Sequence, residues 1–94
     1  MAKNVRKAAM KCDARWRVAK VDRPNKRVWI IDLDARKSIT NDAEAVCAAL
    51  HLEHPGYEFY YRDTDGNWDR LVHNEGRHIG FFPARRLAEQ EGMK

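Results

Sequence analysis

Four histidines and a run of acidic residues are the side chains in this chain best suited to hold a metal ion. Asp63-x-Asp65-Gly66-Asn67-Trp68-Asp69 sets oxygen ligands at alternate positions, as a calcium-binding loop does. A twelve-residue calcium loop needs glycine sixth and a bidentate glutamate twelfth. Here the glycine is fourth and the twelfth residue is Asn74, so a hairpin turn explains the same residues more simply. His51 and His54 are three apart near a helix end, and His73 and His78 flank the Asn74-Glu75-Gly76 turn. Zinc wants three or four converging nitrogen or sulfur ligands, and a helical zinc pair has one more residue between its histidines. Asp63, Asp65 and nearby histidines define the one enzymatic alternative, a metal-dependent hydrolase. There is no serine-nucleophile elbow, phosphate-binding loop, dinucleotide fingerprint or reactive-cysteine setting, so the expectation is a non-enzymatic protein without a cofactor or bound metal.

Cationic residues offer a more coherent chemistry. Of the 18 Lys and Arg residues, ten lie among the first 27 positions, opposed only by Asp13 and Asp22. That opening stretch carries +8, and the remainder holds eight basic against twelve acidic side chains, a net of −4. Such a split points to a polyanion or an acidic protein as partner. Lys7, Lys11, Arg15, Arg17, Lys20, Arg23, Lys26 and Arg27 are the candidate contacts, with Trp16 and Trp29 beside them as flat rings for stacking on bases. Both indoles also suit a core, and basic residues on a hairpin also keep an edge strand soluble. The leading expectation is a nucleic-acid-associated protein acting through its basic N-terminal arm and first hairpin. The second is a protein-binding regulatory or accessory factor, of the kind found in bacteria and mobile elements, with Tyr57, Tyr60 and Trp68 as anchors.

Ninety-four residues allow one domain and one core, which excludes a two-domain enzyme. The chain is 44% hydrophobic with nine aromatics, too apolar for a disordered protein. No apolar run is long enough to span a bilayer, and Arg6, Lys7 and Lys11 interrupt the apolar residues near the N-terminus, so the expected compartment is the cytoplasm and no membrane partner is expected. Cys12 and Cys47 lack a paired spacing and are expected to be free thiols.

The elements that must position these groups follow from periodicity and punctuation. Residues 1–14 form a basic arm or short helix, and 15–92 a single α+β domain. Arg15–Val21 and Arg27–Leu33 read as a hairpin around Asp22-Arg23-Pro24-Asn25-Lys26, with the second strand apolar on both faces and therefore central. Asn41 and Glu44 form a capping-box pattern for a helix over about 42–51, whose Ala43, Val46, Cys47 and Leu50 make a core stripe before His54-Pro55-Gly56 stops it. Tyr57–Arg62 and Trp68–His73 form a second hairpin across Asp65-Gly66; a two-residue turn there pairs Phe59 with Val72, Tyr60 with Leu71 and Arg62 with Asp69. Residues 77–82 form a further strand, and Pro83 opens a helix to about Gln90 with Gly92 as its stop. The expected fold is an antiparallel sheet of four to five strands, order β-β-α-β-β-β-α, with the helices on one face.

Two partial resemblances accompany this pattern. Asp32-x-Asp34 after an apolar strand resembles the setting in which haloacid-dehalogenase-like phosphotransferases keep a nucleophile and an acid, but the length and βαβ alternation that such enzymes need are missing. From Asn41 onward the α-β-β-β-α order resembles that of double-stranded-RNA-binding domains, and Pro83-Ala84-Arg85-Arg86-Leu87-Ala88 is similar to the basic start of their last helix. Their Gly-Pro-x-His loop is replaced by Asp63-Thr64-Asp65-Gly66-Asn67, and Glu89 and Glu91 oppose phosphate, so membership is not assigned.

Overall fold

A computed structural model describes residues 16–33 and 39–93. The expected arm at 1–14, together with Lys7, Lys11, Cys12, Arg15 and Asp34, lies outside those residues. Five strands form one sheet in the order β1 (Trp16–Asp22), β2 (Arg27–Asp32), β3 (Glu58–Arg62), β4 (Trp68–Asn74) and β5 (Arg77–Pro83). Helix α1 (Ala43–Glu53) lies between β2 and β3, and α2 (Arg85–Gln90) follows β5. The α+β class and the order of elements are as the sequence implies.

The sheet is mixed. β2 and β3 run parallel, and every other neighbouring pair is antiparallel. A parallel neighbour requires a long crossover, and the segment containing α1 supplies it. Alternation along each strand then builds two cores. On one face, α1 presses Val46, Cys47 and Leu50 onto Trp16, Val28, Ile30, Phe59, Tyr61 and Leu71. The other face gathers Trp29, Tyr60 and Trp68 beneath Ala84 and Ala88 of the α2 segment. The two helices therefore cover opposite faces, not one, because β2 and β3 carry large apolar side chains on both sides and each side needs a cover. Trp29 stacks on Tyr60 at 4.4 Å and meets Trp68 edge-on at 5.2 Å.

Several local features shift by a residue from the sequence pattern. The α1 capping position is Asp42, after a 3₁₀ turn over Ile39–Asn41, and no side-chain cap hydrogen bond forms there. The β3–β4 connection is five residues, Asp63–Asn67: Asp63 Oδ1 accepts the Asp65 and Asn67 amides at 2.9 and 2.8 Å. This longer turn sets Phe59 opposite Leu71, Tyr60 opposite Arg70 and Arg62 opposite Trp68, one residue from the expected register. At the end of α2, Gly92 takes a left-handed φ of 75°, which lets the Met93 amide reach Ala88 O at 2.9 Å.

Candidate functional site

The first hairpin is positioned by its turn. Asp22 is buried and accepts the Asn25 amide through Oδ1 at 3.3 Å and Asn25 Nδ2 through Oδ2 at 2.9 Å. These bonds, the side-chain one foremost, hold its carboxyl below the usual carboxylate range. Lys26 closes the turn onto Arg23 O at 3.2 Å and takes the left-handed conformation at φ 55°. Its carbonyl accepts the Glu58 amide at 2.8 Å, tying the turn to the start of β3.

A bulge at Ala19 decides where the β1 cations point. Arg17 pairs with Ile31 and Lys20 with Trp29, so two residues three apart in sequence share the α2 side of the sheet. Without the extra residue, alternation would send them to opposite faces. Arg17, Lys20, Arg23 and Lys26 are all exposed. None of these four forms an ion pair among the described residues. The result is a strip of four solvated cations along an edge strand and its turn, extending roughly 20 Å at the usual rise per residue.

Arg27 is different. Its Nε meets Glu58 Oε1 at 3.4 Å and its Nη1 meets Glu91 Oε2 at 3.5 Å, so it joins the sheet to the end of α2. Glu58 also accepts Tyr60 OH at 2.7 Å and lies 3.8 Å from Arg70 Nη2. Burial, reinforced by that carboxylate, pushes the Tyr60 hydroxyl up to about 12. Trp16 and Trp29, the rings expected beside the cations, are both buried and form no stacking surface. Tyr60 and Trp68 are likewise buried, which removes them as protein-binding anchors; the exposed aromatics are Phe81 and Phe82.

Three of the acidic and histidine candidates, Asp32, Asp63 and His73, have structural duties. Asp32 is buried and accepts the Tyr61 hydroxyl. Asp63 holds the β3–β4 turn. His73 stacks on Phe59 at 4.2 Å, accepts the Gly76 amide through Nδ1 at 2.9 Å and directs Nε2 at Tyr57 O at 2.8 Å, which fixes the Nε2–H tautomer when the ring is neutral. Among the described residues no three His, Cys, Asp or Glu side chains converge on a point that could hold a metal ion. Cys47 is a free thiol in the core, and burial pushes it up to about 12, far from a reactive thiolate. No described helix is long and apolar enough to cross a membrane. No family model, curated protein or solved structure matches this chain, so residue chemistry alone bears on its function.

Proposed function

We propose that this is a small non-enzymatic binding protein that associates with nucleic acid in the cytoplasm, chiefly through phosphate contacts. Arg17, Lys20, Arg23 and Lys26 make the contacts on the first hairpin, joined by Lys7, Lys11 and Arg15 of the preceding basic segment; Arg27 instead anchors α2. The observation that carries the proposal is the set of four exposed cations without an ion pair among the described residues, two of which, Arg17 and Lys20, are brought to one face by the bulge at Ala19. Lysine at a left-handed turn position supports it further, since glycine or asparagine would sit there at lower conformational cost. With Trp16 and Trp29 buried, the strip offers charge without a stacking platform, and binding should tolerate many base sequences.

Fluorescence anisotropy with a random duplex and a random single strand tests this. Four phosphate-neutralising cations give a slope of log K against log salt of about −3.6 on duplex and about −2.8 on a single strand, before any share from the N-terminal segment. Replacing all four by Gln should flatten the slope by about those amounts and leave the thermal midpoint nearly unchanged, because exposed charges contribute little to stability. Replacing Arg85 and Arg86 should have a much smaller effect, since Glu89 bridges Arg85 at 3.1 Å. Absence of binding in low salt, or equal losses from both sets, would defeat the proposal. A second function, that of a protein-binding regulatory or accessory factor, is favoured by the exposed apolar side chains of β5.

A further inference from the structure

A cationic strip that binds nucleic acid takes a duplex or a single strand according to what else lies beside it. Sequence-tolerant single-strand sites join cations to flat side chains on which successive bases stack. All nine aromatic residues of this chain lie between Trp16 and Phe82, so neither the N-terminal segment nor residues 34–38 add another. Trp16, Trp29, Phe59, Tyr60, Tyr61 and Trp68 are buried in the two cores. Tyr57 packs on the α1 side of the sheet, opposite to Arg17 and Lys20, and its ring meets His54 at 5.3 Å. Phe81 and Phe82 stand on β5, four strands from β1, about 19 Å at the usual strand spacing. The imidazoles are grouped at that side too. His51 and His54 belong to α1 and its end, over β4 and β5, while His73 stacks on Phe59 and His78 meets Phe81 at 4.8 Å.

The carboxylates around the strip are committed to other groups. Asp22, the one acid between Trp16 and Arg27, is buried and bonded to Asn25. Glu58 and Glu91 hold Arg27, Glu58 also faces Arg70, and Glu89 bridges Arg85. Asp32, opposite Trp16 in the sheet, accepts the Tyr61 hydroxyl. The strip therefore keeps its charge, and its backbone is fixed in advance: β1 is paired to β2, Asp22 holds the turn, and Lys26 O accepts the Glu58 amide. The flat groups on it are the guanidinium ions of Arg17 and Arg23, whose fork matches phosphate oxygens.

Resting on the nucleic-acid reading above, we infer that the strip takes double-stranded nucleic acid and holds it through its phosphates. A duplex sets one charge about every 1.7 Å of its axis, against about 3.4 Å for one strand, and is ordered before it binds. A single strand must be ordered along the strip, with no ring to hold its bases in return. Counterion release then sets the preference. For four cations the salt exponents differ by about 0.8, which gives about tenfold tighter binding of duplex at 50 mM salt and about fivefold at 150 mM, before the ordering cost is added.

Fluorescence anisotropy on the full chain tests this with three DNA probes of equal length: a duplex of about 20 base pairs, one of its strands, and that strand made abasic throughout. The duplex should bind about tenfold tighter than its strand at 50 mM salt, the gap should narrow as salt rises, and the two single strands should agree within about twofold. Replacing Arg17, Lys20, Arg23 and Lys26 by Gln should shrink the duplex preference together with the affinity; all four side chains are exposed, so this variant keeps the fold, as its thermal midpoint would show. A single strand bound as tightly as the duplex, or bound several-fold tighter with bases than without, overturns the assignment to duplex while the nucleic-acid reading stands. A duplex preference unchanged in the Gln variant overturns it as well, by placing the contact on another surface. Binding to none of the probes in low salt removes the nucleic-acid reading itself, and the duplex with it.

Discussion

Two glycines with nearly the same backbone conformation separate two physical costs. Gly66 and Gly76 have φ of 91° and 87°, both in the region that L side chains disfavour. A Cβ on Gly66 would meet nothing within 4 Å, whereas one on Gly76 would lie 2.8 Å from Cβ of His51 on α1. Gly66→Ala should therefore cost only the conformational term, about 1 kcal/mol, or roughly 4–8 °C in a domain of this size. Gly76→Ala should cost distinctly more, because the β4–β5 turn and the end of α1 must move apart. Equal shifts in thermal melts would show that the close approach is slack. Asp69 offers a pH-resolved test. Burial first, and then the charge of Asp63, raises its carboxyl above the ordinary value, so the folded state holds a proton more readily than the unfolded state. The ionised form thus lowers stability at neutral pH, and that penalty fades as pH falls through the raised value and is gone below the unfolded value near ~3.9. Asp69→Asn should stabilise the protein at pH 7 and lose that advantage in acid, as read from denaturant midpoints at both pH values.

At the scale of elements, local chemistry was legible in the sequence and partner choice was not. The α1 stripe of Ala43, Val46, Cys47 and Leu50 is buried as its spacing implies, and the doubly apolar β2 is interior to the sheet. Both patterns are written in contiguous residues. The β3–β4 register was not legible, because Asp63 draws in two amides and lengthens the turn, moving every pairing by one. The candidate site divides in the same way. Its charge could be read directly, but the bulge at Ala19 and the capture of Arg27 by Glu58 and Glu91, 31 and 64 residues away, are settled by tertiary contact. Asp63→Ala should then cost about 1–2 kcal/mol, as loss of an acceptor for backbone amides does. Asp63→Asn, which keeps one oxygen acceptor, should recover much of it. An unchanged melting midpoint in the alanine variant would show that Gly66 alone directs the turn.

For the whole molecule, the decisive feature is that a 94-residue chain divides its core between two faces of one sheet. Neither helix alone can shield it. The six residues of α2 are too few for a stable isolated helix, so packing must hold them in place: Ala84 and Ala88 lie in the second core, and Arg27 reaches Glu91 at its end. The dependence runs both ways. Among the described residues, Trp29, Tyr60 and Trp68 are covered on this face by the α2 segment through Ala84, Ala88, Leu87 and Met93, with Ile31 beside them. If half of their combined area were uncovered, about 300 Å² would open, a loss of about 7 kcal/mol at ~25 cal/mol per Å². That is comparable to the whole stability of a small domain, about 5–15 kcal/mol. Ending the chain after Pro83 should therefore red-shift tryptophan emission, abolish the cooperative melt and create dye-binding apolar surface, while Arg85→Gln with Arg86→Gln, which keeps the helix, should do none of these. A truncated chain with unshifted emission and a sharp melt would mean that the α1 face alone sustains the fold.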